Sequence, residues 1–245
     1  MINTAVIFAG GKGTRFLEQT RFLPKPMILA KGVPLLVHVI NHYVKYGVSQ
    51  FVVLTGFKQE EFSKYFKNQS SYTYDQSLET FKREDGIEIK LLDTGEDTLT
   101  GGRLKILLEK IELDNFYLTY GDGISDVDID LLTKFHFDSN KLVTVTAVNP
   151  PPRFGDLEIE GNLVTEMREK HESRPSWING GYFVVSGSIS EFLTKDEPFE
   201  QAPLRTVAEK KELAAYKHSG YWQCVDTIRE LEVLESDIDS KKIIV

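Results

Sequence analysis

The sequence has 245 residues, 41% hydrophobic and 27% charged, which is enough chain and apolar content for one large α/β domain or two small ones. Its 29 basic and 37 acidic residues give a net charge of −8 without any useful basic run, which excludes a nucleic-acid-binding face. No apolar run approaches the ~20 residues of a membrane span, and the single cysteine, Cys224, excludes an intramolecular disulfide and a Cys-rich metal site.

The single cysteine fits a reducing cytoplasm; the opening stretch lacks the basic flank of a signal peptide and reads instead as a first strand, Thr4 to Ala9, buried on both faces. Pro34 to Tyr46 carries apolar residues at helical spacing, with proline suited to a first turn and Gly47 closing it. Gln50 to Thr55 reads as a second buried strand and Gln59 to Phe66 as a short amphipathic helix. Strand and helix in alternation predict right-handed crossovers and a mostly parallel central sheet flanked by helices. Asn68 to Gly86 has no clear period and reads as an irregular excursion. Beyond it the pattern predicts a strand over Ile87 to Leu92, a helix over Arg103 to Lys110 and a strand over Asn115 to Tyr120. A helix over Asp128 to Phe137 and a strand over Leu142 to Val148 follow.

The character changes near Pro150. Leu157 to Ile159 and Leu163 to Met167 flank Glu160-Gly161-Asn162, a hairpin turn. Trp177 to Val185 reads as a strand, followed by helices, a strand at Leu213 to Lys217 and a last helix from about Thr227. No repeat or linker divides the chain. The economical reading is one domain over residues 1–245, with 1–149 mainly for a nucleotide and 150–245 as a small β-rich elaboration.

The glycine-rich segment Gly10-Gly11-Lys12-Gly13-Thr14-Arg15 directly follows the first strand. Glycines let backbone N–H groups approach phosphate oxygens, and Lys12 and Arg15 add positive charge. The segment is not a dinucleotide fingerprint, because Phe16 stands at the third glycine, and no Walker A string occurs. A structural tight turn is the competing reading. Ten residues on, Pro24-Lys25-Pro26-Met27 holds a lysine between two prolines, a stiff segment that fixes a charge.

Together, GGKGTR and PKPM resemble the signature of the sugar-1-phosphate nucleotidyltransferases, and their close spacing looks most like the glucose-1-phosphate cytidylyltransferase branch. Thr100-Gly101-Gly102-Arg103, Tyr120-Gly121-Asp122-Gly123, Glu169-Lys170, Asn179-Gly180-Gly181 and Asp226-Thr227 follow in matching order. The resemblance implies a Rossmann-like nucleotidyltransferase fold, with Mg²⁺ as cofactor and CTP and α-D-glucose 1-phosphate as substrates giving CDP-glucose and pyrophosphate. It also implies assembly into oligomers and places the product in surface-polysaccharide synthesis.

The same resemblance assigns residue roles. Arg15 goes to the triphosphate and the leaving pyrophosphate, and Lys25 to the α-phosphate and the incoming sugar phosphate. Asp122 and Asp226 go to the metal, and they stand 104 positions apart in the chain. Ala9, Gly10, Gly11, Lys12, Gly13, Thr14, Thr98, Arg103 and Gly121 go to the nucleotide. Glu169, Lys170, Asn179 and Gly180 go to the sugar phosphate. Local sequence alone leaves alternatives for several: an N-cap for Asp226, a turn aspartate for Asp122, a solvated helix charge for Arg103, a surface ion pair for Glu169-Lys170 and a core position for Trp222. Leu23 stands where relatives usually carry another lysine, and His171 replaces a usual proline, so nucleotide preference and sugar identity stay open.

Overall fold

The computed structural model describes residues 2–13, 23–77, 80–150, 155–169 and 176–244. The chain opens with β1 (Thr4–Phe8), a 3-10 turn at Lys25–Met27, and the two-residue strands β2 (Leu29–Ala30) and β3 (Val33–Pro34). Helix α1 (Leu35–Val44), β4 (Gln50–Thr55) and α2 (Gln59–Lys67) come next. Then follow β5 (Tyr72–Asp75), β6 (Thr80–Arg83), β7 (Glu88–Asp93), α3 (Thr100–Lys110) and β8 (Asn115–Tyr120). A short β9 (Gly123–Ser125) leads to α4 (Ile129–Ser139), β10 (Val143–Val148), β11 (Asp156–Glu160), β12 (Leu163–Arg168) and β13 (Ile178–Ser186). The chain closes with a 3-10 segment at Gly187–Phe192, α5 (Ala202–Glu209), β14 (Leu213–His218), β15 (Trp222–Cys224) and α6 (Ile228–Asp239). No described helix is long and apolar enough to cross a membrane.

Nine strands form one sheet in the order β14-β10-β13-β8-β1-β4-β7-β6-β5. The central strands β8, β1, β4 and β7 are mutually parallel, while β13 runs antiparallel between β8 and β10. Alternate residues of the central strands serve opposite faces. Ala5, Ile7, Phe51 and Val53 join the core under α1, α2 and α6, while Val6, Phe8, Val52 and Leu54 join the core under α3 and α5. Burial on both faces is why these strands read as continuous apolar runs.

Two expectations need correction. Asn68 to Gly86 is not irregular: β5 and β6 form an antiparallel hairpin that continues the sheet from β7. Its strands are four residues long and partly exposed, too short and too polar for a period to show, and Tyr72 and Phe81 anchor them on Phe66. Pro34 lies in β3 and caps α1 rather than occupying its first turn.

The two-stranded ladder β9–β15 has the largest consequence for function. It pairs Gly123 with Cys224, and Val225 N–H donates to the Asp122 carbonyl at 3.2 Å. Helix α1 supports this ladder through His42, whose Nε2–H donates to the Val127 carbonyl at 2.9 Å. Burial pushes the His42 imidazole down from 6.5 to about 4. Because the folded protein binds this proton less readily than the unfolded chain, stability is full above about pH 6.5 and falls as pH drops toward 4, by roughly 3 kcal/mol. His38 and His136 are lowered by burial as well and act in the same direction. Denaturant titrations from pH 8 to pH 4 should therefore show this loss, and His42→Gln should flatten the slope; an unchanged slope would contradict the assignment.

Candidate active site

The loops after the parallel strands gather at the carboxyl edge of the sheet, where open α/β sheets receive ligands. Ala9 to Gly13 follow β1, Gly56 follows β4, Thr94 to Thr98 follow β7, and Gly121 and Asp122 follow β8. Two adjoining cavities open there. One of about 430 Å³ is lined by Ala9, Gly10, Gly11, Gly13, Lys25, Thr98, Arg103, Asp122 and Asp226, together with Tyr120, Pro198 and Glu200. The other, about 920 Å³, is lined by Asn179, Gly180, Trp222 and Cys224 and shares Tyr120, Asp122, Glu200 and Asp226 with the first.

At the junction, the Lys25 ammonium lies 2.5 Å from Asp122 Oδ2 and 2.6 Å from Asp226 Oδ1. The Lys25 side chain is only 10% exposed. Burial, the largest influence, opposes its charge, but the Asp122 and Asp226 carboxylates outweigh burial and hold the ammonium above its ordinary value. The stiff Pro24–Met27 turn sets its direction: Met27 N–H donates to the Pro24 carbonyl and Ile28 N–H to the Lys25 carbonyl. Asp226 is not the N-cap of α6. Thr227 holds that position by accepting from Glu230 N–H, while the Glu230 carboxylate accepts from Asp226 N–H at 2.8 Å. This reciprocal cap leaves the Asp226 carboxylate to face Lys25.

Asp122 and Asp226 offer hard carboxylate oxygens that reach a common cation, as their contacts with one ammonium demonstrate. That donor set suits Mg²⁺, which binds through one or two carboxylates plus substrate phosphates. Sequence reasoning missed Cys224, whose sulfur lies within 4.8 Å of both carboxylates. Burial, then the neighbouring Asp122 carboxylate, push its thiol well above the usual range, so it stays protonated. Its only signal was its place two residues before Asp226.

Arg103 lines the first cavity but is not a solvated helix charge. It is 2% exposed. Nη1 donates to the carbonyls of Thr55 and Gly95 and to Thr94 Oγ1, and Nη2 donates to the carbonyls of Gly10 and Glu96. One guanidinium thus ties together the loops after β1, β4 and β7. The floor of the first cavity is set by its planar fork. Thr98 sits on the same loop, with its hydroxyl donating to the Thr94 carbonyl.

Other expected residues are distributed less evenly. Lys12 does not line either cavity; its ammonium pairs with Asp97 at 2.7 Å and Glu96 at 3.6 Å. Gly121 does not line them either, for Pro26 packs onto its Cα, where a Cβ would come within 2.9 Å of Pro26 Cβ. Glu169, just past the end of β12, is exposed and is not among the described residues that line the second cavity. Thr14, Arg15, Lys170 and His171 lie outside the described residues. Leu23 packs against the apolar core and brings no charge.

In β13, a bulge opposite Val145 and Ala147 turns Asn179 and Gly180 toward the second cavity. Gly181 has φ +81°, a conformation open to glycine, and its N–H donates to Asn179 Oδ1. Trp222 stands on the cavity wall rather than in the core, and its indole N–H donates to the Gly180 carbonyl at 2.7 Å. Tyr120 and Glu200, joined by a short hydrogen bond, stand between the two cavities. No motif pointed to Glu200.

Residues 4–240 match the family of nucleotidyl transferases. The chain belongs to that family. This nucleotidyltransferase is 40% identical over 241 residues to the glucose-1-phosphate cytidylyltransferase of Salmonella typhi, covering 94% of each chain. It is 37% identical over 236 residues to the probable glucose-1-phosphate cytidylyltransferase of Bacillus subtilis, covering 93% of this chain and 92% of that one. The solved structure of HddC from Yersinia pseudotuberculosis complexed with GMP-PN shares the fold at a TM-score of 0.73 and 21% identity, covering 97% and 100% of the two chains.

The Arg103 clamp has a direct test. A Cβ on Gly10 would lie 2.1 Å from Arg103 Nη1, whereas one on Gly11 would meet nothing within 4 Å. Gly10→Ala should cost about 2 kcal/mol of unfolding free energy and Gly11→Ala under about 0.5 kcal/mol, read by chemical denaturation. Equal effects would mean that the guanidinium can yield its position.

Proposed function

We propose that this nucleotidyltransferase transfers CMP from CTP to α-D-glucose 1-phosphate, forming CDP-glucose and pyrophosphate, with Mg²⁺ as its metal. The observation carrying this reading is the Lys25 ammonium between two carboxylates at the wall common to two cavities. A phosphate oxygen of the sugar phosphate attacks the α-phosphorus in line, and the bond from that phosphorus to the bridging oxygen of the β-phosphate breaks. Two polyanions must meet for this, so catalysis is chiefly alignment and charge neutralisation.

The first cavity takes the nucleotide, its phosphates over the backbone of Gly10 to Gly13. Residues 1–149 supply most of that cavity, and residues 150–245 supply the sugar side through Asn179, Gly180 and Trp222. Lys25 binds the α-phosphate and the incoming phosphate. Asp122 and Asp226 hold Mg²⁺, which supplies Lewis-acid stabilisation of the phosphate charge when bound. Arg15 at the leaving pyrophosphate and Lys170 at the sugar phosphate rest on the motif resemblance. Arg103 acts through the loops it ties and is a positioning residue.

Lys25→Ala should lower kcat about 10²-fold, by analogy with losing one preorganised donor worth ~3 kcal/mol. Full turnover by that variant, in a pyrophosphate-release assay, would defeat the reading. Substrate identity has a separate test because Leu23 and His171 depart from the pattern. Across CTP, UTP, dTTP and GTP with several hexose 1-phosphates, the CTP and glucose 1-phosphate pair should give the highest kcat/KM. Another pair in first place would keep the chemistry and change the substrates.

A further inference from the structure

Lys25 occupies more than a position beside the metal ligands. Its Nζ contacts Asp122 Oδ2 and Asp226 Oδ1 at 2.5 and 2.6 Å, one oxygen from each carboxylate. A magnesium ion held by the same two oxygens needs them at about 2.0–2.1 Å in near-ideal octahedral geometry. Such an ion and the ammonium would claim the same oxygens and the same space, and they repel each other. The backbone of Lys25 cannot yield, because the Pro24–Met27 turn is closed by hydrogen bonds and Pro26 is seated on Gly121. The four-carbon stem can, since it is flexible and opens on the first cavity.

We propose that, in the free protein, the Lys25 ammonium is the resident cation of the Asp122–Asp226 pair, and that a divalent metal enters only by displacing it. This rests on the reading of the two aspartates as metal ligands. Displacement strands a buried ammonium unless an anion receives it. The wall it would move along includes the apolar Phe8 and Pro26, and both carboxylate oxygens of Glu200 already accept hydrogen bonds, from Tyr120 and Thr100, whereas the α-phosphate of a bound triphosphate brings charge of its own. Metal entry and delivery of Lys25 to the α-phosphate are then one event. Metal alone binds weakly, metal with triphosphate binds well, and each ligand strengthens the other by the same factor.

The probe is Mn²⁺, titrated into the full chain without substrates and followed by the electron paramagnetic resonance of the free ion. Lys25→Met should bind Mn²⁺ at least about tenfold more tightly than wild type, because the competing cation is gone. Lys25→Arg, which keeps the charge, should stay as weak as wild type. Equal Mn²⁺ affinity in wild type and Lys25→Met overturns the proposal.

A second measurement on unaltered protein decides the matter even if Lys25→Met fails to fold. Mg²⁺ without nucleotide, at a concentration shown by competition with Mn²⁺ to fill the site, should raise the rate at which acetic anhydride modifies Lys25, read by peptide mass spectrometry. An unchanged rate overturns displacement. The metal-site reading fails separately, if Asp226→Asn leaves Mn²⁺ affinity unaltered in the complex with an α,β-methylene CTP analogue.

Discussion

Two carboxylates brought close together at the end of a sheet require a cation, and the site is organised around that requirement. The ligand atoms of Asp122 and Asp226 lie within 4.8 Å of each other. At an effective dielectric of about 20, such a pair repels by roughly 3 kcal/mol or more. That is a large fraction of the 5–15 kcal/mol by which domains of ordinary size are stable, so the arrangement persists only with a positive charge between the oxygens. Lys25 supplies it. The β9–β15 ladder enforces the approach, and the Thr227–Glu230 cap keeps Asp226 from spending its carboxylate on the helix.

A second constraint sits at the floor of the first cavity. Arg103 is buried with backbone carbonyls and one hydroxyl as partners, and it welds three loops whose strands are already fixed by the parallel sheet. Glycine at positions 10 and 56 leaves room for it, as a Cβ at either place would collide with the guanidinium. The backbone proposed to face the phosphates is therefore held in shape by Arg103 before any polyanion binds. The site combines one rigid wall, made by Arg103, with one exchangeable charge, Lys25.

Much of this was legible in the sequence. The strands β1, β4 and β8 announce themselves as apolar runs, and glycine and proline punctuate the loops that carry Lys25 and Asp122. The β5–β6 hairpin was not legible, because four-residue, half-exposed strands have no period to detect. The meeting of Asp122 with Asp226 was also hidden: it is made by a three-residue ladder between segments about a hundred positions apart, with backbone hydrogen bonds that leave no side-chain signature. The motif resemblance assigns Gly121 and Arg103 to the nucleotide. Packing explains both differently, since Pro26 fills the space over Gly121 and backbone carbonyls take up the Arg103 fork. Exposure and partners decide such roles, and neither is written in a one-dimensional string.

The proposed chemistry stands or falls on whether Lys25 and the Asp122–Asp226 pair, which would hold the metal, serve one reacting phosphorus. A crystal of the protein grown with Mn²⁺ and an α,β-methylene analogue of CTP, measured for anomalous scattering from manganese, tests it most directly. A manganese peak beside Asp122 and Asp226 is expected, with the Lys25 ammonium off the aspartates and on the α-phosphate. Manganese bound elsewhere, or an α-phosphate lying far from all three side chains, would contradict it.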